Sequence, residues 1–140
     1  NLLDDYEEGT FTGSIIGTTG SAGSWAVATN DCYYRKVGDM VFIFFKVKLS
    51  NKGSYTGDTK CGGLPFTVAD KAAAVPATVA AYYVDLGGAT TGSHDVYMAF
   101  NASDTHAYLK QIQDEAAPPN WAYSNIVDDS ALHFMGAYLT

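Results

Sequence analysis

Cations are scarce in this chain. Eight Lys and Arg stand against 15 Asp and Glu, a formal net charge of −7 over 140 residues. Neutralising phosphates needs clustered cations, so nucleic acid and anionic membrane are poor partners. Lys46, Lys48, Lys52 and Lys60 are the nearest approach to a basic group, and they read as solubilising residues among strands and a turn. No apolar run approaches the roughly 18 residues of a membrane span. The start, Asn-Leu-Leu-Asp-Asp, has neither the cationic nor the apolar part of a signal peptide. It also lacks an initiator Met, which favours reading the chain as a piece of something longer.

Cysteine is equally sparse. Two residues, Cys32 and Cys61, do not make a disulfide framework. If both flank the strand expected at Met40–Leu49, they lie roughly 10 Å apart across two strand spacings, beyond disulfide reach. Two free thiols are expected, in keeping with synthesis in a reducing compartment.

Recognisable catalytic and cofactor patterns are missing. His94, His106 and His133 are scattered without metal spacing, and there is no HExxH, CxxC, G-x-S-x-G or phosphate loop. The carboxylate pairs Asp4-Asp5, Glu7-Glu8, Asp114-Glu115 and Asp128-Asp129 are neighbours on extended chain, so their members point to opposite sides. A glycosidase needs two carboxyls facing each other across a cleft. Asp4, Asp5, Glu7 and Glu8 do not amount to a calcium loop. The expectation is a chain with no catalytic residues, no metal and no cofactor.

What is abundant is the material of strands. Ten Tyr, seven Phe and many Val and Thr are punctuated by 14 Gly, and no long stretch has a helical period. The clearest strand is Met40–Leu49. Val41, Ile43, Phe45, Val47 and Leu49 form an apolar face for the core, while Met40, Phe42, Phe44, Lys46 and Lys48 form a face that is apolar for half its length. A strand apolar on both faces is covered on both, so Phe42 and Phe44 need a cover from this chain or from a neighbouring subunit. Gly38-Asp39 closes a hairpin back onto Cys32–Val37. Asn51-Lys52-Gly53 turns into Ser54–Gly62, giving three strands in a meander. Gly63-Leu64-Pro65-Phe66 ends that run, with Leu64 and Phe66 plugging one end. Further strands are expected at Ala77–Leu86, Asp95–Phe100, Thr105–Ile112 and Ala131–Leu139, with a turn at Asn101-Ala102-Ser103-Asp104. Gly13–Ser24 reads as a loop or a frayed edge strand, and Asp114–Asn125 as an ordered surface loop. Seven or eight strands without a helix fit an antiparallel β-sandwich, a jelly roll among the arrangements allowed.

Two groups of residues stand out as candidate sites. In the Asp114–Asn125 loop, prolines stiffen a segment carrying Trp121 and Tyr123. Flat aromatic faces suit sugar rings, with Asn120, Asn125, Asp128 and Asp129 as hydrogen-bonding partners; the other reading is that Trp121 anchors its loop to the core or to a neighbour. The other group is Leu3, Tyr6, Phe42 and Phe44, apolar residues suited to contact between subunits.

Four segments carry a resemblance. They are Leu3-Asp4-Asp5-Tyr6-Glu7-Glu8-Gly9-Thr10-Phe11, Tyr33-Tyr34-Arg35-Lys36-Val37-Gly38-Asp39-Met40-Val41, Gly63-Leu64-Pro65-Phe66-Thr67 and Gly136-Ala137-Tyr138-Leu139-Thr140. In that order they resemble the C-terminal β-domain of bacteriophage fibre proteins of tail or head. Such fibres often join a thin trimeric stalk to a terminal β-domain through an LDDYEEGT-type segment. Gly13 stands after Phe11-Thr12 where the family usually has proline, a departure that bears on where the first strand starts. The resemblance implies a neck over residues 1–12, a single head domain over 13–140, and assembly as a homotrimer on a virion. Three copies of Leu3 and Tyr6 would pack near the threefold axis. The implied function is attachment to a host-surface receptor, a glycan in the first instance, through the distal loops. The alternative is a trimerisation or capping domain with no receptor contact. A capsule depolymerase is the third reading, against which stand the short chain and the missing acid–base motif.

Overall fold

A computed structural model of the chain describes residues 5–70, 79–85, 96–111 and 120–140, over 79–85 as backbone only. Among the described residues ten strands run in chain order: β1 (Tyr6–Thr10), β2 (Ser14–Ser21), β3 (Ala26–Asn30), β4 (Tyr33–Val37), β5 (Met40–Asn51), β6 (Ser54–Gly62), β7 (Val79–Asp85), β8 (Val96–Phe100), β9 (His106–Gln111) and β10 (Ala131–Leu139). Among the described residues there is no α-helix, and a 3-10 turn spans Tyr123–Asn125.

Every strand pairing is antiparallel. The first layer runs β1-β4-β5-β10-β7, and the second runs β7-β8-β9-β6-β2. β7 belongs to both, pairing with β8 at Val79–Ala80 and with β10 from Ala81 onward, as a strand does when it switches sheets at a corner. The expected all-β, antiparallel sandwich is what the chain forms.

The core follows from alternation. Along β5, Val41, Ile43, Phe45, Val47 and Leu49 are buried, as their spacing predicted. Opposite them β10 contributes Leu132, Phe134 and Tyr138, with the Phe134 ring stacked on Phe45 at 4.6 Å. The second layer supplies Ile15, Cys61, Met98, Phe100 and Leu109. Leu64 is buried at one end, and Phe66 packs edge-on against Tyr34. The Tyr138 hydroxyl donates to Phe66 O at 3.1 Å, which fixes that plug.

One expectation about strand order fails. The β4–β5 hairpin forms as predicted, with Val37 opposite Met40, but β6 does not continue a meander. It pairs with β2 and β9 in the second layer. The reason is that β5 has no free edge: β4 takes Met40–Phe44 and β3 takes much of the remainder on one side, and β10 takes the other. Asn51-Lys52-Gly53 therefore carries the chain across the core. Cys32 and Cys61 are free thiols, as expected, but not as next-but-one neighbours in one sheet. Cys32 lies between β3 and β4 and Cys61 on β6 in the other layer, both buried. Burial pushes both thiols above their usual range.

Two segments are more ordered than their composition suggests. Most of the Gly- and Ser-rich stretch 13–24 is the edge strand β2. The segment assigned to the neck is hydrogen-bonded into the first layer from Tyr6 onward, paired residue by residue with β4.

Candidate functional site

The segment around Trp121 is a strap inserted where β6 and β9 diverge. Trp121 N–H donates to Leu109 O on one side, and Trp121 O accepts from Thr59 N–H on the other, each at 2.7 Å. Alternation then turns Trp121 and Tyr123 inward, at 5% and 0% exposure, with Ala122 outside between them. Ile126 follows them into the core. The Tyr123 hydroxyl donates to Lys52 O at 2.7 Å, and burial raises its pKa.

This corrects the expected glycan platform. Neither ring presents a face for stacking. The polar partners are also engaged inside the chain. Asn120 Nδ2 donates to Asp58 Oδ2 at 2.8 Å, and Asp128 Oδ1 accepts from Lys52 N–H at 2.8 Å. Asn125 sits half-buried in the 3-10 turn. Lys52, read as a solubilising residue, instead pins the strap by donating from Nζ to Ile126 O at 2.9 Å. The prolines of the loop, Pro118 and Pro119, lie outside the described residues.

The interface residues fare differently. Strand register places Tyr6, Phe42 and Phe44 on one surface, the outer face of the first layer. One cross-strand row reads Thr10, Tyr33, Phe44, Met135, and the next reads Glu8, Arg35, Phe42, Ala137. A third row brings Tyr6 opposite Val37 and Met40. Tyr33 stacks on Phe44 with ring centroids 4.7 Å apart. Tyr33 is 48% exposed, Phe42 51% and Met135 64%, so the described chain leaves this face uncovered. Leu3 lies outside the described residues. Tyr33, Val37 and Met135 were not singled out from the sequence, although Tyr33, Arg35 and Val37 share a strand face that the hairpin register fixes opposite Phe44, Phe42 and Met40.

Charges around the face are already paired within the chain. Arg35 lies 3.7 Å from Glu8, Lys46 3.2 Å from Asp31, and Lys48 3.2 Å from Asp129. The acidic segment is held by its carboxylates: Tyr34 donates to Glu7 at 2.6 Å, and Tyr6 donates to Glu8. Both hydrogen bonds raise the tyrosine pKa values.

Of the histidines, His94 lies outside the described residues. His106 Nδ1 is 2.7 Å from Asp104 Oδ1. The same oxygen accepts from the N–H groups of Thr105 and His106, the local bonding of a turn. His133 lies on the outer face of β10 opposite Lys46. Burial and the Lys46 charge lower its pKa, against a smaller pull from Asp31.

No family model matches the chain, and no curated protein does. Among solved structures, the chain is similar to the Dettilon tailspike protein (gp208), with a TM-score of 0.73 and 14% identity. The match covers 95% of this chain and 23% of the tailspike. The fold of this chain is therefore that of a part, under a quarter in length, of a tailspike protein.

Proposed function

We propose that the chain is a β-sandwich domain of a bacteriophage fibre or tailspike, assembled with copies of itself as a trimer, that attaches the virion to a host-surface glycan without catalysing a reaction. The observation that carries this reading is the aromatic face of the first layer. Tyr6, Val37, Phe42 and Met135 are all substantially exposed on one surface, and a contiguous apolar area of that kind is the mark of an interaction site. A second copy is the occupant the chemistry favours. The cations flanking this face, Arg35, Lys46 and Lys48, are each beside a carboxylate of the same chain, so the face itself offers apolar contact and not a charged docking site. The likeness to part of a tailspike supports the virion context, as does the resemblance of the acidic lead-in to fibre necks. Several weak glycan sites per assembly then give avidity without a tight single site.

The burial of Trp121 and Tyr123 favours a second reading, in which the domain only registers and terminates the fibre. Binding to host cells and to a glycan array separates the two. Retained binding by the full chain, with competition against virion adsorption, supports attachment. A self-associating chain that binds neither cells nor glycans supports the capping role. New reducing ends after incubation with host polysaccharide would contradict the non-catalytic reading.

A further inference from the structure

The outer face of the first layer changes character at one end. Beyond the stacked Tyr33 and Phe44 a cavity opens between the Thr10–Thr12 link, the Asn30–Tyr33 turn and β5. Half-buried Phe11 and Phe44 and buried Cys32 form its inner lining, and exposed Thr10, Thr12 and Asp31 its rim. Lys46 lies at the same rim in its ion pair with Asp31.

The cavity is built on backbone bonds. Phe11 N–H donates to Cys32 O at 3.1 Å, and Asp31 N–H donates to Lys46 O at 2.8 Å. The Asn30 carboxamide closes on Gly13, accepting from its N–H at 3.0 Å and donating to its O at 2.7 Å. Walls tied in this way need little ordering when a ligand enters, and that saving appears as affinity.

We propose that this cavity, not the strap at Trp121, is the glycan subsite, and that it takes one ring of a neutral polysaccharide. The inference rests on the attachment reading above. Tyr33 supplies what the strap does not, an aromatic ring that is half exposed and held in place by a stacked neighbour. Such a ring packs against the C–H face of a sugar. The Thr10 and Thr12 hydroxyls donate or accept, and the Asp31 carboxylate accepts from sugar hydroxyls. The charge at the rim selects a neutral sugar. Asp31 and Lys46 cancel locally, and the chain as a whole carries −7, which repels an acidic polymer.

The test is binding of the full 140-residue chain to panels of neutral and acidic bacterial surface polysaccharides, with the solution mass of each variant measured in parallel. Tyr33→Leu removes the ring, which lies on the Thr10 side of its cross-strand row and borders the self-association face. Asp31→Ala lies off that face. Each is expected to weaken binding to a neutral polysaccharide by about 10-fold or more at unchanged mass, while Asn120→Ala and Asp128→Ala bind like the parent chain. Parent-like binding by both Tyr33→Leu and Asp31→Ala overturns the subsite and leaves the attachment reading standing. Preference for acidic polymers overturns the assignment of ligand class. Absence of binding by the parent chain to any polysaccharide overturns the subsite and the attachment reading together. If Tyr33→Leu changes the mass, Asp31→Ala decides.

Discussion

At the scale of single residues, the account turns on which aromatics are core and which are surface. Trp121 and Tyr123 are core, so their substitution acts through stability. Trp121→Ala is expected to destabilise the fold by about 3–5 kcal/mol, as for other large buried rings cut to Ala. Tyr123→Phe, which strands Lys52 O without its donor, is expected to cost about 1–2 kcal/mol. Urea unfolding checks both, as a lower midpoint at unchanged slope. His133 gives a pH dependence with a definite sign. Burial and Lys46 hold its folded pKa below the unfolded value of about 6.5. The unfolded chain therefore takes up the proton first as pH falls, and stability rises with pH through that window. This contribution is complete above the unfolded pKa and is lost as pH drops from there toward the folded pKa. Unfolding midpoints between pH 7 and pH 5 are expected to fall for the parent chain and to fall less for His133→Gln.

At the scale of elements, two glycines separate strain from crowding. Gly38, the first central residue of the β4–β5 turn, has φ of 59° and open space where a Cβ would go. Gly38→Ala is therefore expected to cost only the left-handed backbone, about 1–2 kcal/mol. At Gly17 a Cβ would lie 2.2 Å from Thr56 O, beside the register shift between β2 and β6. Gly17→Ala is expected to detach β2, seen as faster amide exchange over Ser14–Ser21 than in Gly38→Ala. The elements also show what the amino-acid order makes legible. Alternation over Met40–Leu49, the two-residue turn at Gly38-Asp39 and the strand at Ala131–Leu139 are local signals, and all three appear as read. β3 was not foreseen, because Ala26, Ala28 and Asn30 carry little strand preference and the strand is held by its pairing with β5. The meander failed for the same physical reason. The edge that β6 would have taken is filled by β10, some 80 residues later, and no local pattern announces such a partner. Trp121 and Tyr123 could be read either as a sugar platform or as an anchor on the core, because proline-rich flanks look like surface, and their burial favours the anchor. Their spacing across Ala122, with Ile126 beyond, was the available sign of an inward-facing strap.

At the scale of the whole molecule, the sandwich is complete inside and incomplete outside. Its core is closed by both layers, yet the Tyr33–Phe44–Met135 and Arg35–Phe42–Ala137 rows lie bare on one face. The sequence already asked what covers Phe42 and Phe44, and the described chain supplies no cover for Phe42. The proposed self-association would answer that question and would bring the Tyr6 strand, with its acidic neighbours, to the border of the contact. Phe42→Ser and Met135→Ser lie on the exposed face and away from the core. They are expected to leave unfolding midpoints close to the parent value and to separate the copies. The most direct measurement is the mass of the chain by sedimentation velocity at micromolar concentration. The account predicts a particle of three 14.9 kDa chains that falls to one chain in the Phe42→Ser, Met135→Ser double variant. A parent chain that sediments as a single 14.9 kDa species across that range would contradict it.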